Sequence, residues 1–250
     1  VTLRLWKLRL DARAVAAFAR EQRLSHRESD DGYVAHAALT AAFRGTGPQP
    51  FALERMLSPE PSLDPATDTV LGYSSDDFDR AHLAPEHAHL VIDGESKPVP
   101  AVPVGAHVAF LTRVAPTVRT RRPATPGAPL LPRGKSREVD AFLARCAEVG
   151  PDVAVDRAEV YRDWLVRELA ARGGAELDDF ALRAFRRVRL LRKEADRSEG
   201  RKRHVVERPE AILSGTIRVT DSEAFSALLG RGLGRHRAFG FGMVLIKRAG

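Results

Sequence analysis

The first ten residues, VTLRLWKLRL, alternate: Leu3, Leu5, Lys7 and Arg9 fall on one side of an extended chain, and Arg4, Trp6, Leu8 and Leu10 on the other. A period of two predicts a strand. The apolar spacing then lengthens. Val15, Phe18 and Ala19 predict a helix over 12–23. Val34, Ala38, Leu39 and Ala42 predict a second, with cap candidates at Ser29 to Asp31 and a stop at Gly45 and Gly47. Segments 51–58 and 68–74 return to strand patterning, 76–83 reads as a short acid-capped helix, and HVAFLTRVAPTVRT (107–120) reads as a strand broken near Pro116. The order is roughly β-α-β-β-α-β, that of a ferredoxin-like domain.

RRPATPGAPLLPRG (121–134), with four prolines and two glycines, interrupts this pattern. The chain therefore divides into a first domain at 1–122, a linker at 123–134 and a second domain at 135–250. Ser136 is a cap candidate for a helix carrying Val139, Phe142, Leu143 and Cys146 on one face. Asp156 with Glu159 starts another, striped by Val160, Tyr161, Trp164, Leu165 and Leu169 and ended by Gly173 and Gly174. Residues 182–210 carry both patterns: RVRL alternates, while Phe185, Val188 and Leu191 also suit a helix. A strand (211–219), a capped helix (DSEAFSALLGRG) and a last strand (FGFGMVLIK) complete a second α+β half.

Charge adds a partner class. Among 250 residues, 40 Lys and Arg face 33 Asp and Glu, a net charge of +7, and only six of the cations are lysine. Neutralisation of phosphates by such cations supplies most non-specific affinity for nucleic acid. Eleven of them fall between 183 and 208, interspersed with Glu194, Asp196, Glu199 and Glu207. Cys146 is the single cysteine, which excludes a disulfide framework and a thiolate zinc site. No apolar run reaches spanning length and the amino end is unlike a signal peptide, so a cytoplasmic protein without membrane contact is expected.

GRGLGRHRAFGFGMVLI (230–246) holds five glycines within thirteen positions. It is not a dinucleotide fingerprint, because Arg237 stands where the third glycine is needed and too little chain follows for a crossover and second strand. GKS at 134–136 is likewise no phosphate loop, since the glycine required earlier is Pro129. The glycines are interleaved with Arg231, Arg235, His236 and Arg237. That mixture predicts close approach of backbone amides and arginines to phosphate. Tight sheet packing is the alternative for Gly240 and Gly242.

Histidine is the candidate for acid–base work near neutral pH. His82, His87 and His89 gather near Glu86 without completing a ligand set, and read as a solvated loop. His36 lies three residues after Tyr33, on the same helical face. It suits proton transfer or partial burial. His26, beside Arg23 and Arg27, is the runner-up, since neighbouring cations lower a histidine pKa.

Four stretches together resemble one family. Gly232, Gly234, Arg237, Gly240 and Gly242 match a G-x-G-x-x-(Lys/Arg)-x-x-G-x-G pattern ahead of a final strand. LTRVAPTVRT (111–120), YVAHAALTAAF (33–43) and GTIRVTDSEAFSALLGRG (215–232) match further segments in order. The chain thus resembles the CRISPR-associated repeat-processing endoribonucleases of the RAMP superfamily, most closely the CasE type. The resemblance implies tandem ferredoxin-like domains, with an added helical element in the second half here. It implies metal-independent cleavage of precursor RNA at a repeat hairpin through the 2′-hydroxyl, no cofactor, and retention of the product with other Cas subunits in an effector complex. It places catalysis on His36 and Tyr33, with His26 and Arg23 as alternates. Expected RNA contacts are Arg113, Arg119, Arg121 and Arg122; Arg187, Arg189, Arg192, Lys193, Arg201, Lys202 and Arg203; and Gly232, Gly234, Arg235, Arg237, Gly240 and Gly242.

Two departures stand out. Relatives often place a lysine five residues after the histidine, where this chain has Ala41, with Arg44 as the substitute cation. The long regions 11–32 and 136–210 suggest a diverged branch, such as the processing subunit of a type IV system. A hairpin-binding structural subunit without cleavage is the competing reading. An unrelated single-strand binder lacks the aromatic-rich strand of the usual recognition sheet.

Overall fold

A computed structural model describes residues 2–24, 31–57, 66–122, 130–194 and 202–248, and leaves aside the side chains of 191–194, 202–205 and 248. The elements run β1 (Arg4–Asp11), α1 (Ala12–Glu21), α2 (Asp31–Ala42), β2 (Phe51–Leu53), α3 (Glu54–Leu57), β3 (Thr67–Ser74), β4 (Val91–Pro98) and β5 (His107–Val114). They continue through β6 (Thr117–Thr120), β7 (Arg137–Asp140), α4 (Ala141–Val149), α5 (Arg157–Arg172), β8 (Ala175–Glu194), β9 (Lys202–Val219), α6 (Ser222–Arg231) and β10 (Val244–Arg248).

Among the described residues the strands form two antiparallel four-stranded sheets, ordered β2-β3-β1-β4 and β10-β5-β9-β8, and a separate β6–β7 ribbon. Both sheets place their first strand beside their third and their last strand outside the first. That is the ferredoxin-like arrangement, present twice. In the first unit, 3-10 turns at Arg80–His82 and Ala88–Leu90 stand where a second helix would be. In the second, the β6–β7 ribbon and α4 are the addition.

The strongest patterns produce the elements they predict. Trp6, Leu8 and Leu10 of β1 are buried beneath Val15 and Phe18 of α1 and Ala35, Ala38, Leu39 and Ala42 of α2. Leu3 and Leu5, on the other face, pack against the core of the second unit, and Tyr73 donates across to the Val244 carbonyl at 2.8 Å. The Asp156 carboxylate accepts from the amides of Ala158 and Glu159, starting α5.

Several expectations are corrected. The strand expected at 51–58 stops at Leu53, where the chain turns into α3. The acid-capped helix expected at 76–83 is a single 3-10 turn whose cap is Asp79. The helix expected from Ser136 begins at Ala141, because 137–140 pair with β6 and the Asp140 carboxylate accepts from Phe142 N. β5, expected in the first half, pairs with β9 and β10, so the chain passes between sheets at 99–106, before the 123–134 segment. Within the run at 182–210, which suited strand or helix, the described residues 182–194 and 202–210 are strand and pair as β8 and β9. No helix among the described residues is long and apolar enough to cross a membrane.

Candidate functional site

α2 buries Ala35, Ala38, Leu39 and Ala42 against the first sheet and leaves Tyr33 and His36 half-buried at its edge. Each meets an aromatic ring from a different part of the chain. The His36 ring lies nearly parallel to Phe51 of β2, with centroids 6.3 Å apart and 7° between planes. The Tyr33 ring stacks on Phe239, centroids 5.1 Å apart. Phe239 belongs to the 3-10 turn Arg237–Phe239 inside the glycine-rich loop. A Cβ on Gly240 would lie 3.4 Å from Phe51 and 3.8 Å from the Gly32 Cα. The start of α2, β2 and the loop before β10 thus converge around His36. Burial disfavours the charged imidazole and lowers the His36 pKa below the ordinary 6.5.

β9 holds the loop at two points. Glu210, buried, pairs with Arg113 at 2.5 Å, and Arg113 donates to the Phe239 carbonyl at 2.7 Å. The Arg113 guanidinium also lies 3.8 Å from the centre of the Phe241 ring. Two residues earlier, on the same face of the strand, Arg208 reaches Glu138 at 3.6 Å. Glu138 accepts from Thr117 at 2.6 Å and from His236 Nε2 at 2.7 Å. Burial works against the charged carboxylate, but the hydrogen bonds from His236 and Thr117 and the nearby charges outweigh it and hold Glu138 at about 2. An ionised carboxylate only accepts, so His236 Nε2 carries the proton. Arg208 lies 3.4 Å from that same nitrogen, so the carboxylate, not the ring, is its partner. His236 itself is left-handed, with φ 65°.

The β8–β9 hairpin covers the loop. Leu190 is fully buried with Phe239 and Phe241, and Val188 and Val206 pack beside them. Arg187 and Arg189, on the opposite face, are exposed, and Arg187 pairs with Glu207 at 2.7 Å. The backbones of Arg192, Lys193, Lys202 and Arg203 continue these strands.

The structure separates the other sequence candidates. Arg113, expected as an RNA contact, is wholly enclosed and bonded to Glu210 and Phe239, so it holds the loop from inside. The amides of four loop glycines, expected to approach phosphate, are engaged within the protein. Gly232 N donates to Leu228, Gly234 N to Glu168, Gly240 N to Arg237 and Gly242 N to Arg113. Gly240 and Gly242 are packing positions: both are buried with φ 71° and 84°, and a Cβ on Gly242 would strike the Leu233 carbonyl. Arg235 and Arg237 are exposed, although Arg237 folds back onto the Arg231 carbonyl at 2.8 Å. Arg119, Arg121 and Arg122 are also exposed, with Arg122 donating to the Ala147 carbonyl. Arg23 is exposed with φ 52°, while His26 and Arg201 lie outside the described residues. Arg44 is exposed beyond the end of α2, more than a turn from His36, with φ 51°. His87 packs edge-on against Phe18.

A contrast between two kinds of substitution follows. Gly242→Ala is expected to destabilise the fold by on the order of 1–3 kcal/mol, while Arg235→Ala, at an exposed position, is expected to leave stability within about 0.5 kcal/mol. Denaturation curves check both.

The chain thus pairs two ferredoxin-like units and sets a half-buried histidine near a glycine-rich loop. The chain belongs to the family described as CRISPR associated protein, whose model matches residues 4–248. No curated relative matches it in sequence. Among solved structures it is similar to the CRISPR endoribonuclease Cse3 bound to a 19 nt RNA, at 20% identity and TM-score 0.60, covering 98% of this chain and 99% of that one. Thermus thermophilus Cse3 bound to an RNA representing a pre-cleavage complex is similar at 22% identity and TM-score 0.57, covering 99% and 100%. A chain of a CRISPR RNA-guided surveillance complex, pre-nicking, is similar at 16% identity and TM-score 0.51, covering 96% and 98%. At these identities the likeness establishes a shared fold.

Proposed function

We propose that this protein cleaves CRISPR precursor RNA at the repeat hairpin, without a metal or cofactor, and keeps the product within an effector complex of Cas subunits. The observation that carries this reading is the meeting of α2 and the glycine-rich loop. His36, its pKa lowered by burial, stands with Tyr33 where Phe51 and Phe239 converge. The family match and the RNA-bound Cse3 structures support the substrate class. The surveillance-complex likeness supports the assembly.

In the proposed reaction the 2′-oxygen bonds to the adjacent phosphorus and the bond from phosphorus to the 5′-oxygen breaks. A neutral His36 takes the 2′-hydroxyl proton, the leaving 5′-oxygen takes a proton from water, and His36 then releases its proton to solvent. The products are a 2′,3′-cyclic phosphate and a 5′-hydroxyl. The exposed arginines of β8 and the loop, Arg187, Arg189, Arg235 and Arg237, would hold the phosphates that position the hairpin. Ala41, where relatives often carry lysine, favours as a second reading a subunit that binds the hairpin without cutting it.

A repeat RNA with a single 2′-deoxy nucleotide at the cleavage position separates the two. The proposed enzyme binds the substituted and native RNAs equally and cuts only the native one. Intact native RNA in a stable complex supports the binding subunit.

A further inference from the structure

A cavity of about 490 Å³ opens between the β6–β7 ribbon, α4 and α5. Strand alternation in the ribbon sets the aliphatic lining of the cavity apart from Glu138, although Arg119, which pairs with Glu138, also reaches the rim. Val118 pairs with Val139 and Arg119 with Glu138. Opposed residues share a face and neighbours alternate. Glu138 therefore faces His236, while Val118 and Val139 line the cavity behind it.

The chemistry of the lining is mixed in a particular way. Its floor is aliphatic, from Val118, Val139, Leu143 and Val160, and Leu143 remains 45% exposed. Four of the six exposed large apolar side chains among the described residues, Leu130, Leu143, Val153 and Val166, fall within 130–166. Of these four only Leu143, on the added α4, lines the cavity, where it offers an exposed apolar contact within a charged rim. The rim carries Arg119, Arg122, Arg137, Arg145 and Arg167 against two acids, Glu148 and Asp163. Arg122 is held by the Ala147 carbonyl at 2.8 Å, and Arg137 by the Arg122 carbonyl at 2.7 Å. Guanidiniums already fixed in place lose less side-chain freedom on binding a partner. The Arg145–Glu148 pair is exposed on both sides and readily exchanged.

A basic rim alone would suit RNA as well as protein. Single-stranded nucleic acid also needs flat rings for its bases to stack on, and no aromatic residue lines this cavity. An aliphatic floor inside an arginine rim fits a peptide bearing carboxylates and an aliphatic anchor. We propose that the concavity between the β6–β7 ribbon, α4 and α5 docks an acidic segment of a protein partner, with its carboxylates on the arginine rim and an aliphatic side chain on Leu143. This reassigns Arg119 and Arg122 from RNA to protein contact. Because the surface lies on the far face of the ribbon, the docking stands whether or not the chain cleaves RNA.

Fluorescence anisotropy with the full chain tests it. The probes are a labelled peptide of glutamates with interspersed leucines, a leucine-free glutamate peptide of equal charge, and single-stranded RNA of equal charge. The leucine-containing peptide is expected to lose about tenfold in affinity with Arg145→Glu/Arg167→Glu and again with Leu143→Ser. The leucine-free peptide is expected to be indifferent to Leu143→Ser. Repeat-hairpin binding, which also reports an intact fold, stays unchanged in both variants. Equal binding of the leucine-containing peptide to all three proteins overturns the proposal. So does a loss confined to the RNA probe or to hairpin binding, which would make the surface part of the RNA path.

Discussion

His36→Ala is expected to slow single-turnover cleavage of the repeat hairpin by about 10²-fold or more, the contribution of a positioned general base or acid, while hairpin affinity survives. The imidazole is half-buried against Phe51 at the edge of α2, and alanine is the best helix former, so the helix is expected to persist. The pH dependence should follow from the same burial. A pKa below 6.5 keeps His36 neutral at lower pH than an ordinary histidine, so the acid limb of the rate is expected below pH 6.5. The linked effect on stability has a definite sign. His36 binds a proton less readily folded than unfolded, so its contribution falls as pH drops from 6.5 through its folded value. Normal cleavage by His36→Ala, with cleavage lost in His26→Ala or Arg23→Ala, would move the reaction to the other histidine.

Arg113→Ala is expected to be the most destabilising of the loop substitutions. It removes one partner of a buried ion pair and leaves Glu210 charged in the interior, a change that costs about 3–5 kcal/mol. The Phe239 carbonyl and the Phe241 ring lose the guanidinium at the same time. Arg186 still reaches Glu210 at 2.7 Å, but from an exposed position that water screens. Arg113→Lys is expected to recover only part of the loss, since an ammonium lacks the planar fork that serves the carboxylate, the carbonyl and the ring together. Urea denaturation measures both variants. A change below about 0.5 kcal/mol, the level of an ordinary surface substitution, would mean that Arg113 does not anchor the loop.

The parts of this fold that were legible in the sequence carry their own pattern. β1 alternates because one face is covered by α1 and α2, and α5 and α6 announce themselves through Asp156 and Asp221 as caps. β4 was not legible: VIDGESKP is an edge strand whose side chains are mostly exposed, so no burial shapes its composition. The β8–β9 hairpin carried two patterns at once. Tertiary pairing decided between them, since Leu190 finds its place against Phe239 and Phe241.

The candidate site divides the same way. Tyr33 and His36 share a helix and could be read together. Phe51, Phe239, Glu138 and Glu210 come from distant segments, with no local spacing to join them to α2. Arg113 was visible as a cation, but nothing in LTRVAPTVRT shows that its charge is spent on Glu210, 97 residues away. The glycine loop displayed its arginines and concealed the acceptors of its amides.

The most direct test of the central claim is incubation of the unmodified protein with its repeat RNA in excess EDTA, followed by analysis of the product termini. A cyclic 2′,3′-phosphate on one fragment and a 5′-hydroxyl on the other, formed at a single hairpin position, is the predicted result. RNA left uncut under these conditions but cut when magnesium is restored, or fragments ending in a 3′-hydroxyl and a 5′-phosphate, would contradict it.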